Sequence, residues 1–230
     1  MARDDFEANK VGRPPAGWTI SINPGTAGTV AIDDTRAFSG TLSVHVATPA
    51  GGRGQTFITR ALAALPGNTF FGRMMIWVSA TPKDVHWDNI RGSGSLPGTT
   101  RQAWYNYGGG GTGAMLANYY TNGSDCWKTS TTMLPVGHWT CVEWRFDGAH
   151  NAMGYWLDGQ PVSDLSVATH GDGCAGTNLW QAPRFDRLSL GWYNAQTSSI
   201  PIDMWIDDVA IGATRIACDW TRSMAGRPGR

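Results

Sequence analysis

Three short stretches hold residues able to do acid–base chemistry on a polar polymer. They are "VHWDNIRG" (Val85–Gly92), "RQAWYNYG" (Arg101–Gly108) and "LSLGWYNAQ" (Leu188–Gln196). His86 is a candidate base, because an imidazole with an ordinary pKa of ~6.5 is available in its neutral form near neutrality. Tyr193 is a candidate acid or base; acting as a base, a phenol with an ordinary pKa of about 10 needs positive charge beside it. Arg101 and Arg91 can grip a carboxylate with the paired N–H groups of a guanidinium. Asn89, Tyr105, Trp192 and Gln196 are candidates for lining sugar subsites, where carboxamides bind hydroxyls and aromatic faces cover apolar C–H faces.

A glycosidase needs two carboxylates across the scissile bond. The nearest arrangement is "CVEWRFD", where Arg145 stands between Glu143 and Asp147. Glu143 and Arg145 share a strand face, so an ion pair is expected there and hydrolysis is disfavoured.

Such residues need strands to position them. The chain has 30 Gly and 12 Pro among 230 residues and only 16% charged residues, a turn-rich β composition. "TLSVHVAT", "FFGRMMIWVSA", "WTCVEWRF", "MGYWLDG" and "MWIDDVAIG" read as further strands between Gly, Pro, Asn and Asp clusters. Arg60–Leu65 is the one stretch that suggests a helical turn. "GGGGTG" (Gly108–Gly113) has no following helix pattern or lysine, so it reads as a hairpin or rim loop and not as a phosphate loop. Many short strands in a chain of this length predict an all-β fold: a two-sheet antiparallel jelly-roll sandwich with a concave groove, in one domain over 1–220 followed by a tail.

Alternation assigns faces. In "LSLGWYNAQ" Leu188, Leu190 and Trp192 share one face, while Ser189, Gly191 and Tyr193 share the other. That sets Tyr193 toward the groove and Trp192 toward the core. In "RQAWYNYG", Arg101, Tyr105 and Tyr107 share a face, which is expected to be the groove face. Asn89 and Arg91 have a parity that excludes His86 unless the strand carries a bulge. Of the 12 tryptophans, Trp144 and Trp205 read as buried, whereas Trp87, Trp104, Trp127, Trp180 and Trp192 flank polar residues.

The net charge is zero, with 18 basic and 18 acidic residues, so neither a nucleic acid nor a membrane surface is an expected partner. The expected partner is a polysaccharide, bound by a monomer. Cys126, Cys141, Cys174 and Cys218 form no C-x-x-C pair; an even count in a Gly-rich β chain suits two disulfides and secretion, with the pairing open. The alternative is a cytosolic protein with four buried thiols. Asn122-Gly123-Ser124 is a glycosylation sequon or a bare turn.

"DDFE", "AFSG", "DCW", "WTCVEWRFDG", "LDG", "LSLGW" and "WIDDVAIG", in this order from Asp4 to Cys218, resemble the cellulose-induced secreted proteins of fungi and their bacterial relatives. That family is similar to jelly-roll glucuronan lyases with the concanavalin-like sandwich. The resemblance implies an extracellular polysaccharide lyase acting on a uronic-acid or plant cell-wall polymer by β-elimination. It also implies a structural calcium ion held by Glu7, Ser39 and Asp207, which suits hard oxygen ligands; Asp208 would point the other way in a regular strand.

A more distant likeness is to jelly-roll alginate lyases, whose late strand carries Gly-x-Tyr-Asn. Gly191-Trp192-Tyr193-Asn194 matches it, with Ser189 in place of the family's lysine and Ala195 inserted before Gln196. "NIR" stands where that family has Gln-Ile-His. The likeness implies a catalytic Tyr193. In β-elimination the substrate carboxylate must be neutralised to acidify the C5 proton, a base removes that proton, and an acid protonates the leaving oxygen. Arg101 or Arg91, His86 and Tyr193 are the expected carriers of these steps. The competing class is a non-catalytic carbohydrate-binding protein on the same fold.

Overall fold

Alternating apolar and polar residues fold the chain into two stacked antiparallel sheets. The computed structural model describes residues 2–23, 25–121, 124–172, 180–218 and 220. In chain order the strands are β1 (Ala2–Asp4), β2 (Thr19–Ile22), β3 (Thr29–Asp33), β4 (Ser43–Thr48), β5 (Gly54–Ala61), β6 (Thr69–Val78), β7 (Trp87–Ser95) and β8 (Gln102–Gly109). They continue as β9 (Ala114–Thr121), β10 (Ser124–Met133), β11 (Trp139–Asp147), β12 (Ala152–Leu157), β13 (Gln160–Pro161), β14 (Val167–Ala168), β15 (Arg184–Asn194) and β16 (Ile202–Gly212). One sheet runs β13-β12-β11-β6-β16-β4-β3, with β1 on β16 and β14 on β12; the other runs β10-β9-β8-β7-β15-β5-β2. This is the jelly-roll sandwich that the strand pattern predicts.

The inner faces meet in one core. Val44, Val46, Phe70, Ile76, Val142, Trp144, Phe146 and Ile206 from the first sheet pack against Ile58, Ile90, Tyr105, Tyr107, Leu188, Leu190 and Trp192 from the second. Trp144 needs room that its cross-strand partner must give up: a Cβ on Gly72 would sit 2.0 Å from the indole.

Several strands, β2, β3, β5 and β10 among them, lie outside the segments that the sequence singles out. β10 is rich in Ser, Thr and Lys, yet it forms the edge of the second sheet. Arg60 and Ala61 close β5 as strand, not as a helical turn; the local helix is a short 3-10 turn at Pro66–Asn68.

The C-terminal segment is fastened to the outer face of the first sheet. Cys141 and Cys218 form a disulfide with Cα atoms 6.0 Å apart. Arg215 grips buried Glu143 at 2.6 and 3.2 Å. The expected Glu143–Arg145 pair is therefore replaced: the nearest acid to Arg145 is Asp147, at 3.9 Å. Cys126 is also disulfide-bonded. Cys174, the Asn122-Gly123 pair of the sequon and the tail at 221–230 lie outside the described residues.

Candidate functional site

The outer face of the second sheet carries a groove of about 650 Å³. Strand register lays its floor in rows that cross the sheet, one residue per strand. The central row is Thr59, Ser189, Arg91, Asn106, Asn118 and Trp127. Beside it runs Gln55, Tyr193, Asp88, Gly108, Leu116 and Thr129, and on its other side Arg187, Ser93, Trp104, Tyr120 and Asp125.

A bulge makes this constellation possible. Asp88 pairs with Gly108 and Ile90 with Tyr107, so Asn89 is an extra residue against β8. The register of β15 shifts opposite it, between Leu190 and Tyr193. Asp88 and Arg91 consequently share the groove face, where strict alternation would separate them. Gly191, at φ +136, takes the β15 side of the irregularity; a Cβ there would come within 2.4 Å of the Thr56 carbonyl oxygen.

Arg91 is the hub. Its Nη2 donates to Asp88 Oδ2 at 2.9 Å, its Nε to Asn106 Oδ1 at 3.1 Å, and its Nη1 to Gln55 Oε1 at 3.4 Å. The guanidinium carbon lies 4.9 Å from the Tyr193 ring centre and 5.1 Å from those of Phe57 and Trp104, within cation–π range. Asn106 Nδ2 also donates to Asp88 Oδ2, at 3.0 Å. Asn118 extends the polar line by donating to Asp125.

Burial pushes the Asp88 carboxyl above the usual range, against the lowering pull of Arg91. Burial also raises the Tyr193 phenol, and the Asp88 charge adds to the rise against the pull of Arg91 and Arg53. Tyr193 is thus a neutral phenol near pH 7.

The expected site residues divide. His86, Arg91 and Tyr193 all line the groove. His86 stands exposed on the rim, its strand end fixed by Ala195 N to His86 O and His86 N to Gln196 Oε1, both 2.8 Å. Gln196 therefore serves as a tie behind the rim and is not among the lining residues.

Tyr105 and Trp192 are fully buried in the core. The expected face of "RQAWYNYG" is reversed: Ala103, Tyr105 and Tyr107 point inward, while Trp104 and Asn106 line the groove. Trp192 stacks on Trp87 at 4.7 Å and donates to Asn194 Oδ1 at 2.9 Å. Arg101 sits outside the groove in the turn before β8, near the inward-facing Tyr119. Asn89 is completely buried in the bulge, with no hydrogen-bond partner for either amide atom among the described residues.

Sequence reasoning passed over Asp88, Asn106, Asn118, Tyr120 and Asp125. The alternation of "MLANYYT" assigns Asn118 and Tyr120 to one face, which was the available signal. At the β10 side, Trp104 stacks on Tyr120 at 4.5 Å, and Trp127 is 39% exposed with its indole on the groove.

The calcium candidates gather around one loop. Asp207 accepts from Phe38 N and Ser39 N at 2.9 and 3.0 Å, and Ser39 Oγ donates to Asp208 Oδ1 at 3.2 Å. Glu7 binds the same loop further on, through Thr41 N and Leu42 N at 2.9 and 2.7 Å. β16 is irregular here, with its register shifted and Asp208 at φ +47, so Asp208 reaches the loop beside Asp207. Burial pushes Asp207 up to about 7. These are oxygen donors, the type a hard divalent cation takes, but Asp207 already accepts three backbone N–H bonds, and among the described residues Glu7, Asp207 and Asp208 do not bring their oxygens within 4.8 Å of one another.

Comparison with solved structures finds the same fold. A cellulose-induced protein, Cip1, superposes with a TM-score of 0.69 at 23% identity, over 95% of this chain and 100% of that one. The endo-β-1,4-glucuronan lyase of Trichoderma reesei gives 0.61 at 14% identity, over 89% and 94%. A structure from work on endo-acting O-glycanases of the human gut microbiota gives 0.60 at 12%, over 93% and 99%. No curated protein matches. The core-domain model of the Cip1-like, polysaccharide lyase-like family matches residues 5–214, and the chain belongs to that family.

Proposed function

We propose that this protein is a secreted polysaccharide lyase that cleaves a uronic-acid polymer, glucuronan-like, by β-elimination. The observation that carries the reading is the convergence of Arg91, Tyr193 and His86 on one groove. Family membership and the fold of a glucuronan lyase support it.

A uronate carboxylate engages Arg91, whose charge stabilises the enolate that develops as C5–H is broken. His86 takes the C5 proton. The electron pair forms the C4–C5 double bond and expels the glycosidic oxygen, which Tyr193 protonates. The raised pKa of Tyr193 favours this acid role over that of a base. Arg101 drops out of the scheme, being outside the groove. The Cys141–Cys218 disulfide supports an extracellular setting. A calcium ion held by Glu7, Ser39 and Asp207, with Asp208 beside them, would have to draw these oxygens together; it would tie β16 to the loop before β4 and take no part in the reaction.

Incubation with glucuronan, following the ultraviolet absorbance of the unsaturated product, tests the activity. An absorbance rise that a Tyr193→Phe variant lacks is the expected result. No rise at any pH with calcium present, alongside retained binding, leaves the second reading: a carbohydrate-binding protein without catalysis. That reading has its own support in the occupation of Arg91 by Asp88 and in the aromatic wall of Trp104, Tyr120 and Trp127.

A further inference from the structure

We propose that Asp88 is a specificity-determining residue: by sharing the Arg91 guanidinium, it sets how strongly the groove accepts an acidic sugar. The inference rests on the polyuronate reading of the same groove. A guanidinium offers two edges to a carboxylate, Nε with Nη2 and Nη1 with Nη2. The first edge is taken, since Nε donates to Asn106 and Nη2 to Asp88. The second keeps only the 3.4 Å contact of Nη1 with Gln55 and is the edge left for a ligand.

A uronate bound there would share one positive charge with Asp88. Two carboxylates on one guanidinium repel each other, and the repulsion is strong where water is excluded; the side chains of Arg91 and Asp88 are only 13% and 10% exposed. The ligand's carboxylate would then be neutralised poorly, which hinders both binding and loss of the C5 proton. Protonating Asp88, or replacing it with a neutral isostere, restores the full charge of Arg91 to the ligand. The raised position of the Asp88 carboxyl brings that event closer to physiological pH.

Other charged groups act on Asp88. His86 lies just before the start of its strand, Asp125 acts on it from β10, and Tyr193 lies beside it on β15; Asn106 from β8 is its neutral donor. His86 is a second ionisable group lining the groove, and its contribution must be separated from that of Asp88.

The test is calorimetric binding of glucuronan and of a neutral β-1,4-glucan along a pH series running from neutrality into the acid range, the direction in which a raised carboxyl gains its proton. Wild type is expected to bind glucuronan more tightly as pH falls. Asp88→Asn is expected to bind it roughly tenfold more tightly at the upper pH and to lose the dependence. His86→Gln should keep that dependence, and the neutral glucan should be flat with every protein. A melting curve establishes that Asp88→Asn is folded; if it is not, the wild-type and His86→Gln profiles decide. Glucuronan binding that is independent of pH in wild type, or weakened in folded Asp88→Asn at every pH, overturns the role of Asp88 alone. Binding of the neutral glucan with none of glucuronan by any variant overturns the polyuronate reading together with it.

Discussion

Asp88 and Arg91 lie three residues apart on one strand, yet their side chains meet at 2.9 Å on the same face. In a regular strand they would point to opposite sides of the sheet. The bulge at Asn89 brings them together, and the groove's charge centre exists because of it.

The pair makes Arg91 the most consequential position for turnover. Arg91→Ala should lower kcat/KM on glucuronan by roughly two to three orders of magnitude, the usual cost of losing a preorganised donor to a developing oxyanion. Arg91→Lys should recover little, since an ammonium cannot bridge Asn106, Asp88 and a ligand at once. Initial rates of product absorbance measure both.

Tyr193 separates binding from chemistry. Tyr193→Phe keeps the ring under Arg91 and removes only the hydroxyl. Turnover should fall about a hundredfold or more, while calorimetric affinity for the polymer changes by less than roughly threefold.

Trp192 and Trp127 should behave in opposite ways. Trp192→Ala empties a fully buried site in the core and should cost roughly 3–5 kcal/mol in chemical denaturation. Trp127→Ala removes a half-exposed indole from the β10 edge. Its stability should stay within about 0.5 kcal/mol of wild type, and its polysaccharide affinity should drop.

Asp88 also has a stability signature. A carboxyl raised by folding binds more protons in the native state than in the unfolded one. Its ionisation therefore opposes folding above the raised value, and this penalty fades as pH falls toward the unfolded pKa of about 3.9. Asp88→Asn lacks the term. The stability of the variant relative to wild type should be greatest near neutrality and decline on acidification, as read from urea midpoints along a pH series.

Calcium should raise the melting temperature of wild type, by up to about 2.7 kcal/mol of stabilisation at a hundredfold excess over its dissociation constant. Chelator should reverse the shift, and Asp207→Asn should abolish it. A melting temperature indifferent to calcium rejects the ion.

Legibility in the sequence followed the strength of the alternation. "LSLGWYN" sets two leucines against Ser189, Gly191 and Tyr193, and the faces came out as that pattern demands. "RQAWYNYG" mixes aromatic and polar residues on both sides, so alternation sorted its residues into two sets without saying which faced inward; Tyr105 and Tyr107 are core, and Asn106 is groove. The bulge that joins Asp88 to Arg91 showed in the sequence only as the parity conflict between His86 and Arg91; its place at Asn89 depends on pairing with β8 and β15. β10 was hidden because an edge strand with one half-wet face can be built from Thr, Ser and Lys.

The rows that cross the second sheet take one residue from each strand, so no single segment of the chain contains the site. Lengthening a hairpin loop leaves every row intact. Adding or deleting one residue within β7, β8 or β15 would turn its contribution inward and cut the groove through the middle. In a lineage descended from such a protein, drift in length should therefore gather in the turns, and a lost activity can be sought in a shifted strand even where every groove side chain is still encoded.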